Sequence, residues 1–165
     1  MCTLKHFPGH GDTETDSHFG YAETGKTLEE LEKCEFIPFK AGIEAGAPVI
    51  MAGHISVPEI TGDDVPASLS EKIITGLLRN KLGYNGIVVT DSMQMQAITD
   101  SYSSAEAAVM VLKAGCDIIL MPEDLREAAE GIKDAVTAGE ITEKRVDESV
   151  MRILAAKLEY GIINR

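Results

Sequence analysis

The stretch Lys5-His6-Phe7-Pro8-Gly9-His10-Gly11-Asp12-Thr13, followed by Asp16-Ser17-His18, holds three of the chain's four histidines together with acidic residues, glycines and a proline. No packed helix or strand favours that composition; a turn-rich loop carrying reactive side chains does. Asp16 and His18 lie two positions apart, so a tight turn sets the carboxylate beside the imidazole. A carboxylate there fixes the ring tautomer and raises its basicity, which makes His18 a general acid/base candidate near neutral pH. His6, His10, Asp12, Asp16 and His18 are also readable as metal ligands, although spacings such as His-Glu-x-x-His are absent.

Two further polar residues stand at the ends of apolar runs. Asp91 follows Gly86-Ile87-Val88-Val89-Thr90, and His54 follows Pro48-Val49-Ile50-Met51-Ala52 and Gly53. Asp91 reads either as a helix cap or as a carboxylate nucleophile or charge stabiliser. His54 reads either as a hydrogen-bonded strand-end histidine or as part of a site.

The elements that must position these residues alternate between strand and helix. Cys2–His6 reads as a strand with almost no lead-in, as if the chain began in the middle of something. Thr27 with Glu30 forms a capping-box pattern, Pro38 breaks or restarts the helix, and Gly46 stops its second piece. The apolar run Pro48–Ala52 is a second strand; Ser70 is the expected cap of a helix through Leu82, stopped by Gly83. Gly86–Thr90 is the third strand, Ser104 the expected cap of a helix through Ala114, and Asp117–Met121 the fourth strand. Two helices follow, over roughly 123–138 and 142–158.

Continuously apolar strands alternating with amphipathic helices predict an α/β fold, a parallel sheet flanked by helices, with chemistry at the carboxyl ends of the strands. Four βα units are half of a TIM-type (β/α)8 barrel, so the 165 residues read as a single (βα)4 half-barrel domain, a fragment of a longer domain. A lone four-stranded parallel sheet has two open edges. Three arrangements answer that: a longer natural protein, a homodimer completing a barrel, or a compact flavodoxin-like sheet.

The net charge of −12 speaks against nucleic acid and anionic membranes as partners. No apolar run is long enough to span a bilayer and no signal peptide is visible, so a cytoplasmic location is expected. Cys2, Cys34 and Cys116 have no metal-like or paired spacing and read as reduced, mostly buried thiols.

The opening motif, Lys5 to Thr13 followed by Asp16-Ser17-His18, resembles the signature of family-3 glycoside hydrolases, in particular the β-N-acetylglucosaminidases. Gly86-Ile87-Val88-Val89-Thr90-Asp91-Ser92-Met93 resembles that family's nucleophile strand. Met51-Ala52-Gly53-His54 and Ala114–Pro122 fall where the family has its next strands. The similarity spans nearly the whole chain, but only the second half of the family's barrel.

The resemblance implies a retaining glycosidase, with Asp91 as nucleophile and His18, oriented by Asp16, as acid/base. Lys5 and His6 would hydrogen-bond sugar hydroxyls, with His10 and His54 in the same substrate-binding set. The implied substrate is a terminal β-linked N-acetylglucosamine in a glycan or muropeptide, and no metal or organic cofactor is implied. The family's first half carries further sugar-binding residues, so the chain alone is expected to have little or no activity. Relatives with a histidine acid/base also pass the sugar to phosphate, and the sequence does not separate hydrolysis from phosphorolysis.

Overall fold

The computed structural model describes residues 1–11 and 22–164, within which five strands form two parallel sheets. The strands are β1 (Thr3–Phe7), β2 (Ala22–Glu23), β3 (Val49–Ala52), β4 (Ile55–Ser56) and β5 (Ile87–Thr90). The central sheet has the spatial order β1-β3-β5, and β2 pairs with β4 in a short second sheet. Val49, Ile50, Met51 and Ala52 stand opposite Ile87, Val88, Val89 and Thr90.

Successive side chains of a strand point to opposite faces, which divides the core in two. Ile50, Ala52 and Val88 join the large cluster on the helix side, with Phe36, Ile73, Leu78 and Val111. Val49, Ile87 and Val89 form a second cluster with Met51, Ile118 and Leu120 on the other face. Both faces are therefore apolar, as in a parallel sheet. The parallel α/β sheet flanked by helices expected from the sequence is the one observed.

Parallel neighbours need long crossovers, and helices supply them. Between β1 and β3 run α1 (Leu28–Lys33) and α2 (Phe36–Glu44). Thr27 Oγ1 accepts from the Glu30 N–H, and the Glu30 carboxylate accepts from the Thr27 N–H at 2.9 Å, which is the expected capping box. Pro38 sits in the first turn of α2, where a missing N–H costs no intrahelical bond, so the helix restarts there. Between β3 and β5 come α3 (Pro58–Thr61), a 3₁₀ turn at Ala67–Leu69 and a π-helix over Lys72–Lys81. The π-helix buries Ile73, Ile74, Leu77 and Leu78. Ser70 opens it through its carbonyl, which accepts from Ile73 and Ile74, and no side-chain cap bond is made at that end.

After β5 follow α4 (Gln96–Thr99), α5 (Ser104–Ala114), α6 (Leu125–Thr137) and α7 (Glu143–Glu159). The cap of α5 is Ser103, one residue before the expected Ser104, because Ser103 and not Ser104 has a glutamate three positions on. Ser104 Oγ instead accepts from the Asp124 N–H at 2.9 Å and ties the start of α6 to α5. The fourth expected strand is also altered. The run from Asp117 follows β5 in parallel but shares one bridge with it, Val89 to Ile118. Thr90 Oγ1 takes the Leu120 N–H at 3.0 Å in place of a ladder carbonyl, and Met121 turns to φ 48° before Pro122.

Asp117 marks the opposite end of the sheet from Asp91, and its side chain has no exposed surface. Its Oδ2 accepts from Arg79 at 2.7 Å and from the Val88 N–H at 3.0 Å; its Oδ1 accepts from Ser149 at 2.7 Å and Arg152 at 2.9 Å. Arg145 lies at 4.0 Å. The same guanidiniums satisfy carbonyls at the end of α5: Arg79 donates to Gly115 and Arg145 to Leu112 and Cys116. The π-helix, β5, α5 and α7 are thereby bound to one carboxylate.

Among the cysteines, Cys116 is buried but Cys2 and Cys34 are exposed, which corrects the expectation of mostly buried thiols. Burial pushes the Cys116 thiol up to about 12. No helix among the described residues is long and apolar enough to cross a membrane.

Removing one partner of a buried, hydrogen-bonded ion cluster leaves uncompensated charge, at a cost of about 3–5 kcal/mol. Asp117→Ala is expected to lower unfolding stability by that amount in urea titrations. A loss under about 1 kcal/mol, the level of an exposed pair, would show that the cluster does not hold the fold.

Candidate active site

The site is built on the carboxyl ends of β1, β3 and β5. Phe7, at the end of β1, has no exposed surface. Its ring stacks on Phe36 at 5.5 Å and meets Phe39 edge-on at 5.1 Å, so α2 anchors the strand just after Lys5 and His6. The Gly53 N–H donates to the Phe7 carbonyl and the Asp91 N–H to the Ala52 carbonyl, each at 2.8 Å. The ladder thus runs on past the strands and carries all three ends to one level. A Cβ on Gly53 would lie 3.1 Å from His6 Cβ, so glycine leaves room for the histidine.

Asp91 Oδ2 lies 3.4 Å from His6 Nε2, with the two side chains 18% and 24% exposed. Asp91 Oδ1 accepts from the Ser92 N–H at 2.8 Å. The His6 ring meets His10 edge-on at 5.7 Å. Helix α4 begins only at Gln96, with Met95 at its cap position, so the helix-cap reading of Asp91 is excluded. The structure therefore brings His6, His10 and Asp91 together, with Lys5 exposed on the same strand. Asp12, Asp16 and His18 lie outside the described residues. Among the described residues, no group of three or more His, Cys, Asp or Glu side chains is arranged to hold a metal ion.

His54 departs from the expectation of a substrate-binding residue. It is 1% exposed, with Nδ1 at 2.7 Å from Ser68 Oγ and Nε2 at 3.0 Å from the Ser92 carbonyl. Both ring nitrogens are engaged inside the protein, which leaves none for a sugar. Burial pushes its pKa below the ordinary imidazole value, against smaller raising effects from the Ser92 carbonyl and Asp91.

Sequence reading missed two residues that support the loop. Ser68 has no local signal, because its partner His54 is fourteen positions away. Glu35 packs against Gly9, whose φ of 139° favours glycine and whose added Cβ would fall 2.3 Å from Glu35 Cγ. Lys26 pairs with Glu35 Oε1 at 2.5 Å. Glu35 Oε2 is buried with no hydrogen-bond partner among the described residues.

A family model described as the glycosyl hydrolase family 3 N-terminal domain matches residues 1–156. Beta-hexosaminidase A of Pseudoalteromonas piscicida is 33% identical, over 95% of this chain and 30% of its own length. A beta-hexosaminidase of Idiomarina loihiensis is 36% identical, over 96% of this chain and 47% of its own. The chain thus spans less than half the length of these curated relatives. The solved family 3 beta-N-acetylglucosaminidase of Paenibacillus sp. superposes with a TM-score of 0.91 at 42% identity, over 94% of this chain and 30% of that one. The structure of the beta-glucoside phosphorylase BglX superposes with a TM-score of 0.90 at 29% identity, over 99% of this chain and 31% of that one.

Two expectations follow from the packing. The unfolded chain, with an imidazole pKa of about 6.5, takes up a proton before buried His54 does, so stability falls as pH drops below that value. The fall levels off once the lower folded-state pKa is passed. In His54→Gln this part of the fall disappears, so the stability gap between the two proteins narrows from about pH 7 toward pH 5; a constant gap in urea titrations would refute it. Gly9→Ala forces a methyl into Glu35 and strains the turn, and is expected to lower stability by about 1–3 kcal/mol. An unchanged melting curve would show that the turn relaxes freely.

Proposed function

From the premise that this chain belongs to the glycosyl hydrolase family 3 N-terminal domain family, we propose that it serves a retaining β-N-acetylhexosaminidase with Asp91 as nucleophile. The observation that carries the reading is the carboxylate itself: Oδ1 is held by the Ser92 N–H, and Oδ2 lies 3.4 Å from His6 Nε2 on a side chain that keeps some exposure. Oδ2 attacks the anomeric carbon and forms a glycosyl ester as the leaving oxygen departs. An acid must protonate that oxygen, and the same group then takes a proton from the incoming water. His18, oriented by Asp16, is the proposed acid/base, in place of the second carboxylate that most retaining enzymes use. Lys5, His6 and His10 supply donors for sugar hydroxyls.

The proposed substrate is a terminal β-linked N-acetylglucosamine in a glycan or muropeptide, a reading supported by the names of the relatives. On this reading the four βα units are one half of the catalytic barrel, and residues outside them complete the sugar pocket. A cytoplasmic setting is in keeping with the free cysteines Cys2, Cys34 and Cys116. Transfer to phosphate is the second reading, favoured by the likeness to a β-glucoside phosphorylase. A sugar phosphate formed from a chromogenic N-acetylglucosaminide when phosphate is added would decide for it.

The nucleophile is tested by Asp91→Gly in a protein that carries the complete barrel, against the parent of the same length. Turnover is expected to fall roughly a thousandfold or more. Added azide then fills the vacated space, attacks the anomeric carbon from the same face and yields the α-glycosyl azide. Retention of the parent rate, or a β-configured azide, would move the nucleophile to another residue.

A further inference from the structure

Resting on the reading of Asp91 as nucleophile, we propose that His54 and Ser68 are positioning residues that set the direction of its carboxylate through a buried hydrogen-bond relay. The relay runs from Ser68 Oγ to His54 Nδ1, from His54 Nε2 to the Ser92 carbonyl, and from the Ser92 N–H to Asp91 Oδ1. A carbonyl only accepts, so the imidazole proton is on Nε2. In the neutral ring Nδ1 is then an acceptor, and the Ser68 hydroxyl must donate to it. Every proton in the chain has one place, and the ring has one orientation.

The relay is anchored at its far end. Ser68 has no exposed surface, and its N–H donates to the Gly53 carbonyl at 3.2 Å, next to His54 in sequence. Cys116 Sγ contacts the Ser68 carbonyl at 3.6 Å. At the near end, both backbone groups of Ser92 are occupied. Its carbonyl accepts from His54 at 3.0 Å and from the Met95 N–H at 3.2 Å, and its N–H holds Asp91 Oδ1 at 2.8 Å. The Ser92 N–H belongs to the Asp91–Ser92 peptide and its carbonyl to the next one, so the two are coupled through the backbone torsions of Ser92: a change in them swings Oδ1 with the N–H and moves Oδ2 relative to His6. By holding the carbonyl, His54 restrains those torsions.

Phenylalanine removes the donor but is also larger than histidine at a buried site, so Ser68→Ala, which removes only the Nδ1 partner, separates the relay from space filling. His54→Gln keeps the donor, because the amide nitrogen reaches the place of Nε2 and still donates to Ser92. The test reads amide exchange by NMR in the intact protein. Protection of the Ser92 N–H is expected to fall about tenfold in His54→Phe and to recover in His54→Gln. The Val88 N–H, held by Asp117 at the other end of β5, reports folding and should stay protected. Ser68→Ala reads the same amide, even if His54→Phe unfolds, with an expected loss of a few-fold. Nitrogen-15 shifts of neutral His54 should show the Nε2–H tautomer.

In turnover, His54→Phe is expected to lower kcat by about 10- to 100-fold with KM held, and His54→Gln to recover most of it. Unchanged Ser92 protection in the folded His54→Phe variant, or an Nδ1–H tautomer, overturns the relay. Full activity of Asp91→Gly overturns the nucleophile reading instead, and the exchange data still judge whether His54 holds the turn.

Discussion

A carboxylate taken wholly out of water must have both oxygens filled, and Asp117 meets that demand with side chains from two helices and a backbone N–H from the sheet. Arg79 arrives from the π-helix, Ser149 and Arg152 from α7, and the Val88 N–H from β5. The guanidiniums outnumber the carboxylate, and the excess is directed at the carbonyl end of α5, where the helix dipole is negative. The cluster therefore solves two problems at once: it neutralises a buried charge and it closes a helix end. Moving any one of these elements would leave either an unpaired ion or an unsatisfied carbonyl in the interior.

The candidate active site inherits its precision from that anchor. Val88 and Asp91 belong to one extended segment, three residues apart, or about 10 Å. Asp117 pins the segment at one end, and the Asp91 N–H to Ala52 carbonyl bond pins it at the other. Asp91 sits where the segment leaves the sheet, held by the Ser92 turn from one side and by His6 of β1 from the other. Side chains on a rigid strand end are better placed for catalysis than side chains on a free loop. His6 of the opening motif meets a carboxylate that the strand end already holds in place.

Local signals in the sequence survived into the structure, and contacts between distant positions did not show. The Thr27–Glu30 capping box was readable because both partners lie within one turn. The alternation of apolar strands and helices gave the parallel sheet. Asp91 was readable as a strand-end residue, and its neighbour His6 arrived from the first strand as expected. Ser103 is readable too, since Glu106 three positions on completes its motif, a spacing that Ser104 lacks. By contrast, Arg79 and Asp117 are thirty-eight positions apart, and so are His54 and Ser92. No period or motif links such pairs. The weak fourth strand follows from Thr90, whose hydroxyl replaces a backbone acceptor, and strand propensity carries no sign of that exchange.

Cys116 sits where the two ends of this architecture meet. Its carbonyl is held by Arg145 of the Asp117 cluster, its sulfur rests on the carbonyl of Ser68, and no part of it is exposed. Cys2 and Cys34 are open to reagent in the native state. A thiol-directed alkylating agent thus divides the cysteines into two that react at once and one that waits. The waiting thiol is a built-in clock: each alkylation at Cys116 counts an opening that has parted the charge cluster from the shelf beneath Asp91. Its rate measures, in one number, how firmly the two ends of the sheet are joined.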